Sequence, residues 1–169
     1  MKIYKHWSDY PMSKWRWPDF TPQEVASKGE GELAVNEDAM DKLQALRHLV
    51  GPLYLTSAYR SKAHNRRVGG AKQSKHLEAR AFDVKQHNLD TVEFEKAARS
   101  VGFLGFGFYP KQNFIHIDTG PAREWGERWI ADNRPPDTIP DAPPAVEVPG
   151  QGIFAAIMAF ILSLFGGSK

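Results

Sequence analysis

Two stretches decide how this chain reads: Ser74-Lys75-His76-Leu77-Glu78-Ala79-Arg80-Ala81-Phe82-Asp83 and, further on, Phe114-Ile115-His116-Ile117-Asp118. The second alternates strictly. A strand turns successive side chains to opposite faces, so Ile115 and Ile117 share one face and His116 and Asp118 share the other. That pattern describes a strand with its back to a core and its front to a site. In the first stretch, Asp83 comes seven positions after His76, which suits neither one strand face nor one helix face. The reading is a loop carrying His76 that turns into a short strand, Arg80 to Lys85, carrying Asp83.

His76, Asp83 and His116 together make two imidazoles and a carboxylate. This donor set suits one Zn²⁺, with a fourth position left to water, as in catalytic rather than structural zinc sites. Taken singly, each histidine is more often a structural or surface residue. The grouping gives the reading its weight.

Outward from these stretches the elements follow from local patterning. Thr21-Pro22-Gln23-Glu24 is a helix start with a capping box and proline at the first helical position, and the helix ends near Gly29. Asn36 opens a longer helix whose Met40, Leu43, Leu46 and Leu49/Val50 recur at helical spacing, and Gly51-Pro52 stops it. Leu53 to Ser57 reads as a buried strand, and Ala58 to Gln73 as a long loop of the kind usually kept for function. Asp90 caps a third helix, Thr91 to Val101, with Glu93 at the capping-box position. Gly105 to Tyr109 and Phe114 to Asp118 read as strands joined by Pro110-Lys111-Gln112-Asn113. Helices first, then strands with one inserted helix, indicate an α+β fold. Its sheet is small and mainly antiparallel, with helices on one side and the zinc site on the concave face. The aromatic arm Met1 to Asp19, with Tyr4, Trp7, Tyr10, Trp15 and Trp17, is expected to pack across the domain.

The motifs Thr56-Ser57-Ala58-Tyr59-Arg60-Ser61, Asn65-Arg66-Arg67-Val68-Gly69-Gly70, Ser74-x-His76 through Ala81-x-Asp83, Gly105-Phe106-Gly107-Phe108-Tyr109, Phe114-x-His116-x-Asp118-x-Gly120 and Arg123-x-Trp125 carry a resemblance. Over about residues 20–129 the chain resembles the D-alanyl-D-alanine carboxypeptidase-like zinc peptidases of bacterial cell walls, a hedgehog-type fold. The resemblance implies a zinc-dependent peptidoglycan peptidase, a D-alanyl carboxypeptidase or an endopeptidase, acting on stem or cross-link peptides. It also implies that Arg60 contributes to substrate binding and transition-state stabilisation, for which a guanidinium fork is suited. A structural salt bridge is the competing role for Arg60. Two departures stand out. Ala79 occupies a position where the family usually has glycine. Asn113 and Phe114 stand where many relatives place a Glu or His as general base. Asp118 is the first choice for that base. Its alternative role is to accept from a ligand histidine's ring N–H. Glu78 and His64 are further candidates, and Ser57 and Ser74 are read as orienting loops. The rival reading is a non-catalytic zinc module that binds cell wall or a protein partner.

At 169 residues with 41% hydrophobic and 25% charged content, the chain is one globular domain plus a tail. The net charge of +2 gives no support for nucleic-acid binding. The locally basic run Arg60 to Lys75 is either a solvated loop or an attractor of anionic peptide groups. With no cysteine, thiol nucleophiles and cysteine-zinc sites are excluded. Residues 1–132 read as the peptidase domain and 133–151, with six of the twelve prolines, as an extended linker. Residues 152–169 read as a hydrophobic segment, in which 153–165 has a single polar residue, Ser163. Such a run enters a membrane, self-associates or clasps a partner, and membrane contact is the favoured reading. Met1 to Trp7 lacks the apolar run of a signal peptide. The expectation is therefore synthesis in a bacterial cytoplasm and action on the wall, as in a phage-type lysis enzyme.

Overall fold

The computed structural model of the protein describes residues 1–87 and 89–129. Its central strands follow directly from the alternation. Strand β6, Phe114–Asp118, lies between β4, Ala81–Lys85, and β5, Gly105–Tyr109, antiparallel to both. The register pairs Asp83 with His116 and Ala81 with Asp118. Ile115 and Ile117 are fully buried on the other face, packed with Phe82, Val84, Phe106 and Phe108. Burial of each isoleucine contributes about 1.5–3 kcal/mol relative to exposure. A one-residue slip would drive His116 into that core and the isoleucines out, so the apolar face specifies the register of the polar one.

The sheet is completed by β3, Leu55–Ser57, antiparallel to β4 at one edge, and β7, Arg123–Gly126, parallel to β5 at the other, giving the order β3-β4-β6-β5-β7. A two-stranded ladder joins β1, Ile3–Tyr4, to β2, Leu33–Ala34. The fold is α+β, as expected. Helix α1, Pro22–Val25, has the Thr21–Glu24 capping box but stops well before Gly29. Helix α2, Glu37–Val50, is capped by Asn36 and ends at Gly51, whose φ of 83° favours glycine. Helix α4, Thr91–Ser100, is capped by the Asp90 carboxylate, which accepts from the N–H groups of Val92 and Glu93. Met40, Leu43 and Leu46 of α2 and Phe94 and Ala98 of α4 join the core cluster of the sheet's apolar face. That leaves the opposite face free for the site. The aromatic arm packs as expected: Trp17 is buried and donates from its indole to Asp41 of α2.

Two local readings change. The stretch 58–73 is not a structureless loop: it contains α3, Lys62–Arg67, with the Ser61 hydroxyl accepting from the N–H of His64 as its cap. A six-residue helix is too short for apolar periodicity to reveal it, and the serine was its only signal. Strand β7 has a mostly exposed side-chain pattern and no alternation. It exists because β5 offers an edge to pair with. No helix among the described residues is long and apolar enough to cross a membrane. The linker at 133–151 and the segment 152–169 lie outside the described residues.

Candidate metal centre

His76 enters the site from a 3-10 turn, Lys75–Glu78, which Ser74 caps. The turn closes at Ala79 in the left-handed region, φ 53° and ψ 34°. This explains the glycine usual at that place. Here alanine bears the strain while its methyl packs, 6% exposed, beside Ala34 and Tyr59. The chain then runs straight into β4, which delivers Asp83 beside His116 of β6.

The three side chains are buried and meet at one point. His76 Nε2 lies 3.2 Å from Asp83 Oδ1 and 3.1 Å from His116 Nδ1, and His116 Nδ1 lies 2.9 Å from the same Asp83 oxygen. The outer nitrogens decide what these inner atoms are. His76 Nδ1 donates to the carbonyl of Ala58 at 2.5 Å, which leaves Nε2 as a lone pair. His116 Nε2 donates to Asp118 Oδ2 at 3.0 Å, which leaves Nδ1 as a lone pair. Two imidazole lone pairs and a carboxylate oxygen therefore converge, an arrangement of three acceptors that calls for a cation. Tetrahedral donors about 2.1 Å from zinc stand about 3.4 Å apart, a few tenths of an ångström more than the separations of 2.9–3.2 Å found here. The residues fit a zinc ion.

The charges agree. Burial opposes ionisation of Asp83, but hydrogen bonds and charge from His116 and His76 outweigh it and hold the carboxyl well below its usual range. Burial lowers the pKa of His76. For His116 burial acts the same way, but hydrogen bonds and charge from Asp118 and Asp83 prevail and raise its pKa.

Asp118 is fully buried and has no place in the cleft lining. Besides His116, its carboxylate accepts from the N–H of Gly120 at 2.7 Å and from both terminal nitrogens of Arg123 at 3.1 and 2.6 Å. Burial would raise its pKa; those partners bring it down to about 2. All its neighbours are donors, so the geometry matches the second role weighed for it, holding the ring of His116. Glu78 bonds Lys75, and His64 contacts Arg67; neither lines the cleft. Among the described lining residues there is no carboxylate or imidazole outside the three converging ones.

Above the three donors opens a cleft of about 490 Å³. Arg60 lines it and is held at its rear by Ser57 Oγ, 2.7 Å from Nε, and by Asp83. Its two proposed roles are thus compatible: one edge of the guanidinium bonds the protein, while the residue still borders the cleft. Three aromatic side chains, Tyr109, Phe114 and Trp125, also form part of the cleft wall. Tyr109 and Phe114 stack at 4.5 Å, and the indole of Trp125 donates to the Tyr109 hydroxyl and lies 5.1 Å from the His116 ring. Sequence reasoning quoted these residues without giving them a role. The usable signal was the glycine pair in β5. A Cβ on Gly105 would sit 2.3 Å from the Asp118 carboxylate, and one on Gly107 would sit 2.5 Å from the Trp125 ring. Glycine at period two on the site face leaves room for the groups that back and border His116.

A family model, Peptidase M15, matches residues 18–118, which contain all three donors. The chain belongs to the Peptidase M15 family. Among curated proteins it is 38% identical over 100 residues to the peptidoglycan L,D-endopeptidase MepK of Escherichia coli (strain K12), covering 54% of this chain and 55% of that one. It is 35% identical over 91 residues to the zinc D-Ala-D-Ala carboxypeptidase of Streptomyces albus G, covering 51% and 36%. The chain spans about half the length, or less, of the curated relatives it matches. The family match includes the loop of His76, the Asp83 strand and the His116 strand, and stops at Asp118, short of Arg123 and Trp125.

Proposed function

We propose that the protein is a zinc-dependent peptidoglycan peptidase that hydrolyses a peptide bond in cell-wall stem or cross-link peptides. The observation that carries this is the convergence of His76 Nε2, Asp83 Oδ1 and His116 Nδ1 under an open cleft. Membership of a peptidase family and relatives named for wall peptides support it over a non-catalytic module. The three residues would hold one Zn²⁺, which when bound would supply a Lewis acid and a water of lowered pKa for attack on the scissile carbonyl. Arg60 supplies donors to a substrate oxygen from the cleft wall. Asp118 fixes the tautomer and orientation of His116. The aromatic wall excludes water from one side and takes the apolar part of the peptide. The two relatives mark the two bond classes in question: an internal L,D bond, or a terminal D-alanine.

The test is digestion of purified peptidoglycan with the zinc-loaded protein, the chelator-treated protein and the reloaded one. New termini should appear with the first, vanish with the second and return with the third. Mass analysis of the released fragments distinguishes loss of one terminal alanine from cleavage within a cross-link. Adsorption to the wall with no new termini under any condition would overturn the enzyme reading.

The hydrophobic run at 153–165 is further proposed to bring the enzyme to a membrane, as suits a lysis enzyme that works close to the inner face of the wall. Removing residues 150–169 should abolish co-sedimentation with phospholipid vesicles and leave digestion of soluble wall fragments unchanged. Equal sedimentation of both forms would reject the membrane role.

A further inference from the structure

Gly69, Gly70 and Ala71, followed by Gln73 and Ser74, line one stretch of the cleft. Behind it stands Asn65 of α3, a carboxamide that the metal chemistry does not use and that is only 4% exposed. Its Nδ2 donates to two successive carbonyls, Gly70 O at 3.2 Å and Ala71 O at 3.0 Å. Its own main-chain carbonyl accepts from the N–H of Gly70 at 2.8 Å. Every described peptide bond is trans, and in a trans peptide the C=O and the following N–H point in opposite directions. Drawing the carbonyls of Gly70 and Ala71 onto Asn65 therefore turns the N–H groups of Ala71 and Lys72 away from it. Among the described residues nothing accepts from the N–H of Ala71, Lys72 or Gln73. The pattern depends on glycine: a Cβ on Gly70 would lie 2.1 Å from Asn65 Oδ1. The carbonyl of Ala71 also accepts from the N–H of Ser74, which caps the turn carrying His76, so the run is tied at both ends.

We propose that the turn at residues 70–73, of which Gly70, Ala71 and Gln73 line the cleft, forms a substrate subsite in which the N–H groups left unbonded at 71–73 receive a backbone carbonyl oxygen of the bound peptide, and that Asn65 is the positioning residue that aims them. This rests on the peptidase reading above and adds to it how the chain of the substrate is held. Successive N–H groups from one turn make a concave donor set suited to an oxygen acceptor. Glycines at 69 and 70 and the small Ala71 keep long side chains off that part of the cleft wall. The interaction is made to bound substrate and transition state alike, so its loss raises KM and spares kcat.

The experiment uses the full zinc-loaded chain and soluble disaccharide-peptides released from purified peptidoglycan by a muramidase. Asn65→Ala and Gly70→Ala should each raise KM about tenfold, with kcat and zinc stoichiometry within about twofold of wild type. The double variant should be no worse than Asn65→Ala, because removing the carboxamide also removes what the new methyl would strike. A fall in kcat at unchanged KM, unchanged kinetics, or additive losses in the double variant would overturn the proposal. If the wild type cuts nothing, the peptidase reading fails first. Calorimetric binding of the same fragments then decides the subsite: tenfold weaker binding by Asn65→Ala upholds it, and equal or absent binding by both proteins rejects it.

Discussion

His76→Ala is expected to lose zinc and wall cleavage together, with activity falling at least about a thousandfold. Two donors cannot hold the ion in the place that three define, and without it the attacking water returns from a pKa near 7 toward its value of about 15.7 in bulk. The side chain is also 2% exposed and bonded to the carbonyl of Ala58, so the substitution leaves a small cavity and an unpaired carbonyl. A melting curve separates the two effects. Zinc should raise the melting temperature of the wild type, because a ligand that binds only the folded state stabilises it, and should leave that of the variant unchanged. Acid should imitate the substitution. His116 carries a raised pKa in the metal-free protein, and its proton must leave before Nδ1 can serve as a donor. Zinc affinity should therefore fall as pH drops and recover as it rises. Equal zinc content in wild type and His76→Ala after dialysis, measured by atomic absorption, would show that the three side chains are not the metal site.

Asp118→Asn is expected to weaken zinc binding about 10–100-fold and to lower cleavage in parallel. The carboxylate has only donors around it: the ring N–H of His116, the N–H of Gly120 and the Arg123 guanidinium. An amide in its place must turn its NH₂ toward one of them. Either the hold on His116 is lost or a buried donor faces another donor. Stability should fall by about 2 kcal/mol, less than for a fully buried pair because Arg123 can turn to water. Saturating zinc should restore most of the cleavage, because the group acts through His116. If Asp118 were the general base, the outcome would invert: unchanged zinc affinity, and activity still absent at saturating zinc.

The alternation of Phe114 to Asp118 determined by itself which face of the central strand met the core and which the site, since isoleucines at period two admit one burial. Caps at Thr21, Asn36 and Asp90 likewise marked their helices, because a side chain that satisfies an N–H within three residues acts locally. That His76, Asp83 and His116 belong together as a candidate metal site was legible for another reason: residue types limit what a metal can bind, and the structure brings the three side chains to one point. Only the tertiary structure decided what surrounds them. It made the Ala58 carbonyl and Asp118 the partners that set the two histidine tautomers, and it set Trp125 across Gly107 beside His116. It added β7 to the edge of β5 and folded α3 beside the cleft lining, with Asn65 donating to the carbonyls of Gly70 and Ala71 there. Each of these depends on groups far apart in the chain or on the direction of a peptide plane. Periodicity and composition carry no record of either.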